Sequence, residues 1–275
     1  MEPHFSFGRN WLNYAKSAVD ETVISEAAQS LLRFLPRKEI EGKIFVDAGC
    51  GSGIFSLAAL RLGAKKALGF DLDPQSLEAS EYVREKFGGE QAARWEIFSG
   101  DVLDPEFIVS GRARGDIVYS WGVVHHTGQM RQAVKNALSL VNPGGFFALA
   151  IYNRTPASPF WTRAKRFYNY HPLLRPALEL GWGAMACAAY MARRGTLSLR
   201  RERGMHVFHD AVDWIGGWPF ECASFDEVRE FVESHGAKLE KEVTRLYSKP
   251  AGKASFLDRF HPFNTGCNEF LFKKT

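Results

Sequence analysis

The 275-residue chain is 45% hydrophobic and 24% charged, which excludes a disordered protein and is enough to bury a full core. Its net charge of +4 is small but uneven: ten Lys/Arg stand against five Asp/Glu between residues 153 and 222, and the rest is close to neutral. Four scattered cysteines (Cys50, Cys187, Cys222, Cys267) without a C-x-x-C pair exclude a zinc ribbon and fit reduced thiols better than a disulfide frame. The opening Met1-Glu2-Pro3-His4-Phe5 lacks a basic then apolar leader, so a cytoplasmic location is expected.

Helical periodicity runs from about Glu21 to Leu35, with Asp20 as N-cap and Pro36 as the stop. Residues 1–36 are therefore expected to form an N-terminal helical segment closing a ligand site. A first strand ends at Asp47, and a helix over Gly53–Leu62 is closed by Gly63. A second strand, Ala67–Phe70, ends at Asp71, and Pro74 opens the next helix, which stops near Gly88-Gly89. The third strand, Arg94–Phe98, leads to Gly100-Asp101; the fourth, Asp116–Ser120, leads to Trp121-Gly122-Val123-Val124-His125-His126. A helix over Gln129–Leu140 precedes Asn142-Pro143-Gly144-Gly145 and a fifth strand, Phe146–Tyr152.

Such alternation predicts an α/β fold with a doubly wound, mostly parallel sheet. Near the end, Ser224-Phe225-Asp226-Glu227 is a capping box opening a helix to His235. Two strand-like runs follow, Leu239–Leu246 and Glu269–Lys273. They predict an antiparallel hairpin strand that completes seven strands. Residues 37–152 and 223–275 then form the core. The 70 residues 153–222 break the rhythm and are rich in aromatics. At the carboxyl end of the sheet they are expected to be a mainly helical cap over a substrate.

Val46–Gly53 reads Val-Asp-Ala-Gly-Cys-Gly-Ser-Gly. Glycines let a backbone approach a ligand and adopt positive φ. A carboxylate at Asp47 would repel a pyrophosphate, which points to a ligand with a cationic or hydroxyl-rich end. Asp71, 20 residues after Gly51, suits the ribose hydroxyls of an adenosine ligand. Asp101 is placed to accept from an exocyclic adenine amine, with Leu72 and Val102 flanking the ring.

Asp47-Ala48-Gly49-Cys50-Gly51-Ser52-Gly53, Asp71-Leu72-Asp73, Gly100-Asp101 and Pro143-Gly144-Gly145 together resemble class I S-adenosylmethionine-dependent methyltransferases over about residues 37–152. The resemblance implies S-adenosylmethionine as cofactor. Its methionine part would pass Gly49, Cys50, Gly51 and Gly53, its ribose would meet Asp71, and its adenine would lie by Asp101. The loop after strand four, from Trp121, would face the transferred methyl. Arg9 is expected to reach the cofactor carboxylate, with Trp11 and Tyr14 closing the pocket. Phe5–Trp11 and Asp213–Glu221 are similar to a bacterial subgroup of these enzymes; the quinone-biosynthesis O-methyltransferases share only the core.

The expected reaction is methylation of a small molecule, apolar or acidic, on oxygen rather than nitrogen or carbon. His125 and His126 are the candidate bases, His126 the stronger because Val123-Val124-His125 can turn back into packing. Tyr152, Trp214 and Trp218 are expected to touch the acceptor. His206, His209, Asp210 and Asp213 share a helical face; without a tight ligand motif they predict polar pocket lining and no metal. Leu178–Ala192 is apolar but shorter than the ~20 residues of a membrane span. With its flanking arginines it makes peripheral membrane contact the alternative to plain packing. RNA or protein as acceptor, and a Rossmann oxidoreductase using a nicotinamide cofactor, are the rival functions. No RNA-binding module is present, so nucleic acid is not an expected partner.

Overall fold

The computed structural model describes residues 5–195, 199, 206–244 and 266–275. Three helices open the chain: α1 (Phe7–Ser17), α2 (Glu21–Phe34) and the one-turn α3 (Arg37–Ile40). Strand β1 (Ile44–Ala48) is followed by α4 (Ile54–Arg61), β2 (Lys66–Asp71), α5 (Pro74–Phe87) and β3 (Trp95–Ser99). Next come α6 (Pro105–Ser110), β4 (Gly115–Trp121), α7 (Met130–Ser139) and β5 (Val141–Tyr152). The insertion folds as α8 (Ser158–Tyr170), α9 (Arg175–Arg194) and α10 (Val207–Gly216). The chain closes with α11 (Phe225–Glu233), β6 (Ala237–Thr244) and β7 (Cys267–Lys274).

The seven strands pair in the order β3-β2-β1-β4-β5-β7-β6. β7 runs antiparallel to both of its neighbours, so the hairpin expected at the end of the chain is present. Chain order reverses between β1 and β4, which pair in parallel. That reversal opens a crevice at the carboxyl ends of the strands. Each face of the sheet carries its own apolar core: Phe45, Leu57 and Trp95 on one side, Val118, Phe147 and Phe270 on the other.

Local chemistry explains where the elements begin. The Val23 amide donates to Asp20 Oδ1 at 2.9 Å, capping α2. At α11 both bonds of the Ser224/Glu227 capping box are made. β5 starts at Val141, earlier than the glycines suggest. Val141 pairs with Gly115 and the ladder resumes at Phe146 and Ile117, so Pro143-Gly144-Gly145 is an irregular step in the strand. Helix α1 lies within the helical segment expected over residues 1–36 but before the periodicity that begins at Glu21; its Asp73-bound Gly8 amide, at 3.0 Å, docks it on the start of α5. Arg245 and Leu246 of the expected sixth strand, and Arg200, Arg201 and Arg203 of the basic stretch, lie outside the described residues.

Candidate active site

A cavity of about 1560 Å³ opens at the carboxyl ends of β1, β2, β3 and β4 and continues beneath the insertion. A pocket for one small ligand is typically about 300–1,000 Å³, so this volume suits two molecules together.

The glycine loop forms one end. Amides of Gly49 and Cys50 both donate to the Phe70 carbonyl, at 2.9 and 3.0 Å, tying the loop to the end of β2. Gly49 has φ of +77°, and a Cβ there would stand 2.5 Å from Val123 Cγ1, so both the turn and the close approach require glycine. Gly51 lies under the Trp11 indole, where a Cβ would meet the ring at 3.0 Å. Trp11 therefore covers the loop from α1. Gly53 faces away: a Cβ there would strike Trp95, and this residue does not line the cavity. Its expected contact with cofactor is replaced by helix–sheet packing.

Three acids meet this end at successive strand ends. Asp47 is buried and accepts from Ser56 Oγ at 2.7 Å. Burial first, with the Asp71 charge adding to it, raises its pKa to about 7 against the opposition of the Ser56 bond. Asp71 Oδ2 accepts from the Gly51 amide and Oδ1 from the Asp73 amide, both at 3.0 Å. Burial also raises its pKa. Asp101 Oδ1 takes the Leu103 amide at 2.8 Å. Leu72 is 67% exposed, an apolar side chain left at the rim, and Val102 is buried beside it in the lining. This arrangement fits the nucleoside and the cationic methionine end of S-adenosylmethionine. The carboxylates reach hydroxyls and cations, and the Cβ-free loop admits the ligand backbone closely. Cys50 lines the cavity as a packed thiol, its pKa pushed up well above the usual value by burial.

Two residues expected here lie elsewhere. Arg9 is exposed on the outer face of α1 and does not line the cavity. Tyr14 is wholly buried behind Trp11, with ring centroids 5.9 Å apart and also 5.9 Å from His209. Both follow from the turn of α1, which presents Gly8 and Trp11 inward and leaves Arg9 and Asn13 to solvent.

The middle of the cavity is built by the loop after β4. Trp121 lines it, stacked on Tyr119 with centroids 5.0 Å apart. The pair of histidines divides. His125 is buried outside the lining, and its Nδ1 accepts the Tyr152 amide at 3.3 Å. Burial holds its pKa well below the usual value. His126 lines the cavity. Its Nδ1 lies 2.8 Å from the Pro219 carbonyl; that nitrogen must donate, which leaves Nε2 with its lone pair. Burial, helped by Lys165, lowers the His126 pKa to about 3.

Asp213–Glu221 wraps these histidines; the sequence reading singled out Asp213, Trp214 and Trp218 in it but not Gly217, Pro219 or Glu221 beyond the resemblance. Gly217 leaves room for His126, whose Cε1 would be 2.5 Å from a Cβ there. Pro219 supplies the accepting carbonyl, and the Glu221 amide donates to the His125 carbonyl at 3.0 Å. Signals were available in the Gly-Gly pair and the following proline, which mark a backbone that has to approach something.

The far end belongs to the insertion. Tyr152, Trp214 and Trp218 line it, joined by Trp182 and Tyr190 from α9. Tyr152 and Trp214 meet edge to face at 4.9 Å. Asp210 and Asp213 line the cavity, while His206 and His209 do not. His209 instead pairs with Asn10 at 2.7 Å. Among the described residues no three His, Cys, Asp or Glu side chains are grouped so as to hold a metal ion. None of the described helices is long and apolar enough to cross a membrane.

Residues 46–147 match the family described as a methyltransferase domain. The ribosomal protein L11 methyltransferase of Vibrio campbellii is 34% identical over 119 residues, spanning 43% of this chain and 37% of that protein. The chain thus aligns with well under half of that relative's length. Among solved structures, the magnesium protoporphyrin IX methyltransferase of Synechocystis PCC 6803, with bound SAH, has a TM-score of 0.54 at 14% identity, covering 97% of this chain and 94% of its own. An S-adenosylmethionine-dependent methyltransferase from Mesorhizobium loti has a TM-score of 0.51 at 15% identity, covering 90% and 98%. At that identity the likeness is one of fold.

Proposed function

From the premise that this chain carries a class I S-adenosylmethionine-dependent methyltransferase domain, we propose that it transfers a methyl group to a small molecule held beneath the insertion. The observation that carries this reading is the single cavity running from the glycine loop to the aromatics of α9 and α10. The bound cofactor supplies an electrophilic methyl on a sulfonium. The chain's part is to align, and alignment alone is worth about 7–11 kcal/mol of barrier in favourable cases. Asp71 and Asp101 hold the nucleoside, and Trp11 covers the loop. The insertion acts as a cap that keeps water from the reacting centre.

His126 stands between the two ends of the cavity with an unprotonated Nε2. Its low pKa makes it a weak base, so its work is to accept a hydrogen bond from the acceptor and fix that group's lone pair on the methyl. An oxygen acceptor of high pKa needs a stronger base than this, and the expected preference for oxygen receives no support from His126.

A second reading, a protein acceptor, rests on the L11 methyltransferase relative. Incubation of the chain with S-adenosylmethionine labelled in its methyl group and a cell extract separates the two. A low-molecular-weight labelled product supports the cap reading; label confined to protein supports the other.

Contact with an anionic lipid surface is also part of the proposal. Phe160, Phe167, Leu173 and Leu180 are exposed on α8, α9 and their junction, Leu173 at 94%. Arg163 and Arg166 are exposed among them, the combination an interfacial helix pair uses. Co-sedimentation with phosphatidylserine vesicles, lost with Leu173→Asp and Leu180→Asp together, checks it.

A further inference from the structure

The insertion carries a basic surplus, but the cavity itself has the opposite character. Among the described residues no lysine or arginine lines it. Arg163 and Arg166 point to solvent, and Arg154 pairs with Glu227 at 2.7 Å on the surface. Lys165 is buried behind the lining, where its ammonium bonds the Trp214 carbonyl and lies 4.0 Å from the Trp214 ring centroid. What does line the cap end is Asp210, Asp213 and Glu269 among aromatic rings.

Resting on the methyl-transfer reading above, we propose that the acceptor is an amine, anchored as its ammonium by Asp213 amid Trp214, Trp218 and Tyr152, and methylated on nitrogen. Asp213 is partly open to the cavity, and its Oδ1, covered by neighbouring atoms, takes no hydrogen bond, leaving the carboxylate short of partners that a ligand cation would supply. The electron-rich faces of the surrounding rings favour a cation over an anion. A carboxylate-bearing acceptor would find no cationic partner in the described lining.

The groups facing Asp213 are Asp210 on its own helix, Lys165 from α8 and the Asn10 amide from α1. Burial raises the Asp213 pKa well above its usual value and lowers that of Lys165 well below its own. An ammonium bound beside Asp213 favours its carboxylate form, which is then placed to take that ammonium's proton. Once the ammonium has given that proton to Asp213, the nitrogen lone pair forms the bond to the methyl carbon. The carbon–sulfur bond breaks, its electron pair stays on sulfur, and the sulfonium becomes a thioether. The proton then passes from Asp213 to solvent as product leaves.

Three molecules of one skeleton test this: 2-phenylethylamine, 3-phenylpropanoate and 2-phenylethanol, titrated calorimetrically into protein saturated with S-adenosylhomocysteine. The amine should bind at least tenfold more tightly than either of the others. D213N should erase that preference and D213E should keep it, with S-adenosylhomocysteine affinity in both variants reporting that they fold. Methyl-labelled S-adenosylmethionine should then place label on the amine nitrogen. Binding of the carboxylate or the alcohol as tight as that of the amine, or no binding of the amine, overturns the proposal while leaving methyl transfer standing. Failure to bind S-adenosylhomocysteine at all overturns methyl transfer itself, and the amine acceptor with it.

Discussion

The cofactor end and the cap end of the one cavity are built by different means. At the cofactor end every functional group sits where a parallel strand stops: Asp47 in β1, Asp71 ending β2, Asp101 two residues beyond β3. The backbone does most of the positioning, through amides of Gly49, Cys50 and Gly51. The cap end is assembled by side chains far apart in sequence, such as Tyr152 with Trp214 and Asn10 with His209. Strand ends recur at fixed intervals and can be shared across a fold, whereas packing of this second kind belongs to one chain. On the proposed reading, chemistry common to many proteins sits at the first end and substrate choice at the second.

The largest effect should follow from breaking the cofactor end alone. Charge-assisted hydrogen bonds are worth about 1.5–3 kcal/mol each. Asp71→Ala should therefore weaken S-adenosylhomocysteine binding by ten- to a hundredfold in calorimetry and leave the fold's far-UV spectrum intact.

His126→Ala should act at the junction of the two ends. Turnover is expected to fall about tenfold, the low end for a residue that assists proton movement, with cofactor affinity near wild type. An unchanged rate would remove His126 from the reaction. The same residue gives an acid signature. Its imidazole takes up a proton near pH 6.5 when unfolded but only at about 3 when folded. The native state therefore loses stability as pH falls through that window. In His126→Gln, denaturation midpoints measured from pH 7 to 4 should fall less steeply.

Asp47 sharpens the comparison by pH. Its folded pKa of about 7 lies far above an unfolded carboxyl's, so between those values the empty protein holds an extra proton and loses stability as pH rises. A cationic ligand needs the ionised form. Affinity for S-adenosylmethionine should thus rise with pH toward 7, by up to about tenfold per unit, and Asp47→Asn should flatten the profile. The smallest effect is expected at Arg9: Arg9→Ala should leave cofactor affinity within about twofold, since its side chain is exposed outside the cavity.

These contrasts also explain what the sequence revealed. The sheet, its antiparallel closing strand and the placing of Asp47, Asp71 and Asp101 at strand ends were legible because alternation, glycine spacing and strand ends are local signals. Arg9 and Tyr14 were misplaced because the orientation of α1 is set by docking on Asp73, a contact 65 residues away. Gly53 was misread because its constraint comes from Trp95 rather than from a ligand. The basic composition of the insertion is likewise not carried into the cavity lining. Composition counts charges, whereas burial decides that Arg163 and Arg166 face water while Asp213 faces the cavity.

The measurement that tests the central claim most directly is a paired calorimetric titration of the purified chain with S-adenosylhomocysteine and with NADH. Saturable one-site binding of S-adenosylhomocysteine, lost in Asp71→Ala, with no heat from NADH, is the result expected of a loop that carries Asp47 and has no place for a pyrophosphate. Saturable binding of NADH, or none of S-adenosylhomocysteine, would contradict it.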